Sequence, residues 1–329
     1  MNSLTVQQSR VGTLVVLDHF KQRGDAKPHG EKVIQAALED GYQGPIAAFE
    51  RESGVNGAEL LRTRRQIEAP LSSKEEFLEQ LREYVVYREA GMVRGANQDL
   101  RKLLEGGWES CAVNISMGGC KVAAVDGLAD LWSKKDGSSH LYQNLLTVFD
   151  LGQEIAEGEK GWGTQYIKVR EKVAEYVSNT LDQSPELAGS KTEYRGLVEK
   201  LADKKVSVVV SAGNDGRAHG CRVPKAADAF DNHLSDPKVL TVGTQEEYSN
   251  PSANVRILAD GKLRTGGQGT SYASPRVAAR AAELHGLYPQ ASNQEIDSML
   301  LAEARPADCG PPVLSRSLLN WGEPGTVGL

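Results

Sequence analysis

Apolar positions along the chain fall into two textures. Short uninterrupted runs, rich in β-branched residues, recur at 11–17, 45–49, 111–115, 206–210 and 239–242, with a weaker one at 255–258. A strand without alternation is buried on both faces, and such strands belong to parallel sheets. Between these runs the period lengthens. Val33, Ile34, Ala37 and Leu38 share one face of a helix over 29–38. Residues 57–106 are charged and helical in character, with Gly91 and Gly95 as punctuation. From about 121 to 203, Leu128, Leu131 and Trp132, then Leu141, Leu145, Leu146 and Phe149, recur at three- and four-residue intervals. Two last helices are expected over 271–286 and 293–304, the second capped by Ser292 or Asn293. Strands alternating with helices predict an α/β fold around a mostly parallel sheet. There is no internal repeat. The stretch 306–329, with four prolines and four glycines, reads as an extended wrap or a flexible end.

Composition narrows the function classes. Among 329 residues, 38 Lys and Arg stand against 44 Asp and Glu, a formal charge of −6. That balance, with no long basic run, argues against a nucleic-acid binder held by phosphate contacts. No stretch approaches eighteen apolar residues, so no membrane span is expected. At 40% apolar content the chain has ample material for a core, and broad disorder is not expected. The first ten residues lack the basic start and apolar centre of a secretory signal, which implies a cytoplasmic protein. Cys111, Cys120, Cys221 and Cys309 show neither a CxxC pair nor zinc-like His spacing, and read as plain thiols.

In parallel sheets reactive groups gather at the carboxyl ends of strands. Asp18, His29, Asn214 and Ser271 sit at such ends or at helix starts. Each alone has a plain reading: a turn aspartate, a cap, a turn former, and the N-cap of the last long helix. Together they compose one device. A serine hydroxyl needs a base to take its proton, and imidazole suits that role near neutral pH. A carboxylate on the far ring nitrogen fixes the tautomer. An amide donor can stabilise the oxyanion that follows.

The stretches Val15-Val16-Leu17-Asp18, His29-Gly30-Glu31-Lys32-Val33, Asn114-Ile115-Ser116-Met117-Gly118-Gly119, Ser211-Ala212-Gly213-Asn214-Asp215-Gly216 and Gly269-Thr270-Ser271-Tyr272-Ala273-Ser274-Pro275 occur in this order. In content and order the chain resembles the subtilisin-like serine proteases, the subtilases. Their fold is three-layered, with a mostly parallel sheet between helices. The resemblance implies Asp18 as orienting carboxylate, His29 as general base, Ser271 as nucleophile and Asn214 as oxyanion donor. It also implies Ser116, Met117 and Gly118, with Ala212 and Gly213, as two backbone edges that take a polypeptide substrate as an added strand. Gly118 and Gly213 would leave room for the peptide's close approach. The expected activity is endopeptidase action through an acyl-enzyme. The alternatives are a non-cleaving peptide- or partner-binding scaffold, and acyl transfer to an amine in peptide maturation.

Several features depart from the family pattern. His19 and Phe20 follow Asp18 where Ser or Thr and then Gly are usual, Lys32 stands at the second family histidine, and eleven residues separate Asp18 from His29. Adjacent strand residues face opposite ways, so His29 rather than His19 is the expected base. The whole chain, 1–329, is expected to be one catalytic domain, with 121–203 a helical insertion beside the cleft that serves as elaborated scaffold, or else as a lid or the docking surface of a regulatory protein. Only 17 residues precede Asp18, which suggests a mature form or an intracellular type without a folded prosegment. No cofactor is expected. Calcium stays open, with Asp25, Asp228, Asp231, Asp236 and Asp260 as contributors at hand and solvated turns as their plainer reading. At the residue before the cleaved bond, a broad or hydrophobic preference is expected.

Overall fold

A computed structural model describes residues 12–21, 27–133, 140–151, 162–217, 228–306 and 310–314. The expectations for 1–11, Asp25, Cys221, Cys309 and 315–329 lie outside the described residues. The strands are β1 (Leu14–Asp18), β2 (Ile46–Glu50), β3 (Cys111–Ile115), β4 (Val206–Ser211), β5 (Val239–Gly243), β6 (Val255–Ala259) and β7 (Val313–Leu314). They form one sheet in the order β2-β1-β3-β4-β5-β6-β7, and every pairing is parallel. The sheet is thus wholly parallel among the described residues, beyond the mostly parallel expectation.

Helices α1 (His29–Glu39), α8 (Thr270–Leu287) and α9 (Asn293–Glu303) share a hydrophobic core with one face. Helices α3 (Lys74–Glu105), α4 (Lys121–Trp132), α5 (Leu141–Val148), α6 (Trp162–Asp182) and α7 (Pro185–Asp203) share another with the opposite face, and α2 (Gly57–Glu68) packs on α3. The result is a three-layer α/β fold. Alternation divides each strand between the cores: Val15 and Leu17 join the α3–α7 side, and Leu14 and Val16 join the α1–α8 side. In β3, Cys111, Val113 and Ile115 go one way while Ala112 goes the other. This double burial is why the strands read as unbroken apolar runs.

Helix α8 lies almost wholly buried, from Thr270 through Ala279 and onward at Ala281, Ala282, Leu284 and His285. Its small side chains let it sit close to its surroundings. A Cβ on Gly12, just before β1, would lie 2.2 Å from the Ala282 carbonyl oxygen. Tyr42, also fully buried, donates its hydroxyl to the carbonyls of Gly12 and Pro45 and accepts from the Leu14 amide at 2.9 Å, tying together the starts of β1 and β2.

Three expectations need correction. Gly91 and Gly95 do not interrupt the helix: both lie inside the 32-residue α3. They are small because a Cβ on Gly91 would meet Val55 at 2.0 Å and one on Gly95 would meet the Glu52 carbonyl at 2.4 Å. The stretch after Pro306 is not only a wrap, since Val313 and Leu314 add a strand beside β6. Ser271 is not the N-cap of α8; that place belongs to Gly269. The α9 cap is Ser292, in a full capping box with Glu295. Among the described residues, no helix is long and apolar enough to cross a membrane.

Candidate active site

Asp18 is the last residue of β1 and fully buried. By alternation it points to the same side as Leu14 and Val16, the side of α1 and α8. There its Oδ1 meets His29 Nδ1 at 2.8 Å, and the same oxygen accepts the His19 amide at 2.6 Å. Its Oδ2 is sealed without a hydrogen-bond partner. His29 opens α1 directly after Pro28. Its Nδ1 is engaged, its side chain is about one-third exposed, and its ring stands 6.0 Å from that of Tyr272, tilted by 30°. Its Nε2 has no protein partner among the described residues.

His19 turns elsewhere. Its Nδ1 lies 3.5 Å from Glu50 Oε1, and Glu50 also accepts the amides of Phe20 and Lys21. Those bonds hold the Glu50 carboxyl below the usual carboxylate range, although its slight burial acts the other way. Phe20 packs over the first turn of α1: a Cβ on Gly30 would lie 2.6 Å from its ring. The Gly30 amide closes the turn on the His19 carbonyl at 2.9 Å. The unusual His19-Phe20 pair thus anchors α1 rather than competing for Asp18.

Ser271 stands second in α8, near its N-terminus. The first amides of a helix lack partners in a preceding turn. Here the Thr270 amide goes to Asn214 Oδ1 at 2.8 Å and the Tyr272 amide to the Gly269 carbonyl at 3.0 Å. Among the described residues the Ser271 amide has no such partner. Pro275, four residues on, cannot donate to the Ser271 carbonyl. That carbonyl instead accepts Ser116 Oγ at 2.9 Å, and Ser271 Oγ donates to the Ser116 carbonyl at 3.0 Å. Ser116 Oγ also touches Ser274 Oγ at 3.1 Å and accepts Asn114 Nδ2 at 2.8 Å. The end of β3 and the start of α8 are therefore tied in both directions.

Asn214 is exposed, and its amide is oriented by Thr270, whose amide and hydroxyl both meet Oδ1. Its Nδ2 is left without a protein acceptor among the described residues. His19, His29, Ser116, Met117, Gly118, Ala123, Ser211, Gly213, Asn214, Asp215 and Ser271 line one cleft of about 330 Å³. Most of the expected residues therefore converge, with Asp18 directly behind His29. Ala212 does not reach the cleft: it is buried, and its amide is taken by the Val242 carbonyl at 2.8 Å. Gly213 lines the cleft, but its amide binds Thr270 Oγ1 and its carbonyl accepts the Asn250 amide. In the second backbone edge, the amides of Ala212 and Gly213 and the Gly213 carbonyl are thus already engaged within the protein.

The two glycines have a steric reason within the fold. A Cβ on Gly118 would strike the Asn232 amide at 2.1 Å, and one on Gly213 would strike Asn250 at 2.4 Å. Gly213 also has φ +108°, which favours glycine. Both positions thus make room for a neighbouring asparagine, whatever else approaches them.

Thr270, Asn114, Ser274 and Tyr272 escaped the sequence reading. The polar interruptions Asn114 and Ser116, two apart at the end of an apolar strand, were the available signal. Cys111 and Cys120 are free and buried, and burial pushes the Cys111 thiol up to about 12 and raises that of Cys120 as well, so neither is an activated nucleophile. Among the described residues, no three His, Cys, Asp or Glu are grouped to hold a metal ion. Asp228 pairs with Lys121 at 2.7 Å, Asp231 accepts Ser252 Oγ, Asp236 pairs with Arg195 at 3.1 Å, and Asp260 accepts the Lys262 amide at 2.9 Å.

Comparison with known proteins places residues 161–318 in a match to the subtilase family. Asn214 and Ser271 lie inside that segment; Asp18, His29 and Ser116 lie outside it. Solved structures similar to this chain include a lanthipeptide protease, 14% identical, covering 92% of this chain and 81% of that one with a TM-score of 0.41. A cold-adapted subtilisin-like serine proteinase is 14% identical, with 93% and 89% coverage and a TM-score of 0.41. The prenylagaramide maturation protease PagA is 16% identical, with 94% and 92% coverage and a TM-score of 0.40. No curated protein matches the chain.

Proposed function

With residues 161–318 matching the subtilase family, we propose that the chain is a serine endopeptidase using Asp18, His29 and Ser271, with Asn214 as oxyanion donor. The family match supports a protease or peptide-processing role; the residue roles rest on geometry. The observation that carries them is the 2.8 Å contact of Asp18 with His29 at one border of a cleft that Ser271 and Asn214 also line. Two of these four residues lie outside the matched segment, so their convergence is independent support.

In the proposed reaction, His29 Nε2 takes the Ser271 proton as Oγ attacks the carbonyl carbon of the peptide. The Ser271 amide and Asn214 Nδ2 receive the oxyanion, both being donors left free by the local bonding. His29 then gives its proton to the leaving amine, and water hydrolyses the ester by the same path. Asp18 keeps Nδ1 protonated and stabilises the imidazolium. Ser271 Oγ now donates to the Ser116 carbonyl, so rotation about its Cα–Cβ bond must precede attack. Such resting hydrogen bonds commonly rearrange when substrate binds.

Replacing Ser271 by Ala tests the reading. Peptide hydrolysis is expected to fall by roughly 10⁴–10⁶-fold, and labelling by a fluorophosphonate is expected to vanish. Unchanged turnover or unchanged labelling would overturn it.

A further inference from the structure

Behind the Asp18–His29 contact lies a second buried ion pair that the reaction proposed above does not use. β1 and β2 run in parallel register, with Asp18 opposite Glu50. The chain leaves β2 at Arg51, whose amide donates to the Asp18 carbonyl at 2.9 Å. The Asp18 side chain points towards α1 and α8, whereas the Arg51 side chain lies on the opposite face. There Arg51 is buried, and its Nη2 donates to the Met92 carbonyl in α3 at 3.1 Å. Asp99, further along α3 and also buried, stands with Oδ2 4.0 Å from Arg51 Nε.

As a structural tie the pair is poorly made. Arg51 Nη1 and Asp99 Oδ2 are both sealed from water without a hydrogen-bond partner, where a strong Arg–carboxylate pair would be bidentate. Asp99 Oδ1 accepts the Glu52 amide at 3.2 Å. Buried charges bonded this incompletely add little to stability, but their field acts with little screening. That field reaches the candidate triad: the charges of Asp99 on α3, of Asp18 on β1 and of Tyr194 on α7 all bear on the Arg51 guanidinium. Burial raises the Asp99 carboxyl to about 6, against the Glu52 amide, Arg51 and Lys102. Lys102 and Glu52, which bond each other, are the remaining charged groups beside Asp99. On its own face Asp18 meets His29 of α1, the His19 amide and, from α8, Tyr272. Its Oδ2 is left bare, so the charge of Asp18 is met from the front by His29 and from behind by Arg51.

We propose that Arg51 is a positioning residue of the triad: its fixed charge behind Asp18 weakens the hold of Asp18 on the imidazolium and keeps His29 available as a base at lower pH. This rests on the serine-protease reading and deepens it. Asp99 adjusts the effect. As an anion it offsets Arg51; once protonated it leaves the guanidinium to act in full. When acid is added, Asp99 and His29 therefore compete: a proton on Asp99 unmasks the charge that resists a proton on His29. The buried pair thus extends the working range of the base towards acid, from the face of the sheet that carries no reactive group.

The rate of fluorophosphonate labelling against pH tests this on the full-length protein, because only the neutral His29 ring can take the Ser271 proton. The acid limb of that profile should move up by roughly 0.5–1 pH unit in Arg51→Met, the size expected of one buried charge acting over about 10–15 Å at an effective dielectric near 20. In Asp99→Asn, which keeps an acceptor for the Glu52 amide, the limb should move the other way by about half as much. Arg51→Lys keeps the charge and should keep the limb of the parent. The double variant Arg51→Met with Asp99→Asn should lie between the two single ones, and it leaves no buried carboxylate alone should Arg51→Met fail to fold. Lost packing alone would slow labelling at every pH without moving the limb. Limbs that coincide in the parent, Asp99→Asn and the Arg51→Met proteins, or that all move the same way, would overturn the inference and leave the serine reading intact. No labelling of the parent at any pH would overturn the serine reading, and this inference with it.

Discussion

The two faces of the sheet are built differently. Towards α3–α7 the strands present Val15, Leu17, Val113, Ile115, Val208 and Val210 to large apolar side chains such as Leu81, Leu100, Leu128 and Tyr194. Towards α1 and α8 the same strands present Asp18, Asn114, Ser116, Ser207 and Ser211 among their apolar residues, facing helices rich in alanine. One face is held by area removed from water, the other by short side chains that bring polar partners within bonding distance. The difference shows how a wholly buried sheet can carry a reactive site: polar groups occupy alternate positions at strand ends, so the opposite core is undisturbed.

Arg276 offers the largest test of that contrast. It is buried, pairs with Asp40, lies 3.4 Å from Glu39 and donates to the Lys262 carbonyl at 2.7 Å. It thereby joins α8, which carries Ser271, to the end of α1, which carries His29. Replacement by Met takes the buried cation away from two half-buried carboxylates, a change expected near the low end of the about 3–5 kcal/mol of a fully buried pair. Denaturant unfolding should show this loss. The kcat for any cleaved peptide should also fall at temperatures where the protein is still folded, because α1 and α8 lose their shared register. Unaltered kcat in the folded variant would mean that the polar face holds the site by packing alone.

The opposite face should separate stability from activity. Leu100 is fully buried in α3 among the large apolar side chains. Its replacement by Ala should cost about 3 kcal/mol, within the range for a buried leucine. The same denaturant measurement reads it, and kcat below the unfolding transition should be unchanged. A fall in kcat as large as that of the Arg276 variant would erase the distinction between the faces.

These two faces were not equally legible. The strands could be read because burial on both sides leaves an unbroken apolar run, and the candidate site could be read because its residues fall in short local motifs at strand ends. Arg276 could not, since a basic residue inside a helical motif looks solvated until Glu39 and Asp40, over 230 positions away, are seen beside it. Gly91 and Gly95 misled because a helix-weakening residue and a packing contact give the same letter. The two residues of β7 were too short to carry any period. Ala212 was placed in the cleft by its neighbours in the motif, whereas its amide belongs to the sheet.

The finest contrast is in pH response. On the α8 face, burial and the repulsion of Lys205 depress His285 to about 4, while its Nε2 is held at 2.8 Å by Ser207 Oγ. The neutral ring is the native form, so the unfolded chain binds the extra proton first. Its contribution is present above the unfolded value near 6.5 and is lost as pH falls towards 4, about 2 kcal/mol between pH 7 and pH 5. On the α3 face, burial raises Asp99 to about 6 despite the Glu52 amide at 3.2 Å and the Arg51 guanidinium. Here the native state binds the proton first, so the contribution is present below the unfolded value near 4 and is lost as pH rises through 6. The two slopes oppose each other over pH 4–6. Urea midpoints measured across that range should therefore fall less with acid in His285→Gln than in the parent, and more in Asp99→Asn. Parallel curves for all three proteins would mean that neither buried group titrates with folding, and that the faces differ in packing but not in protonation.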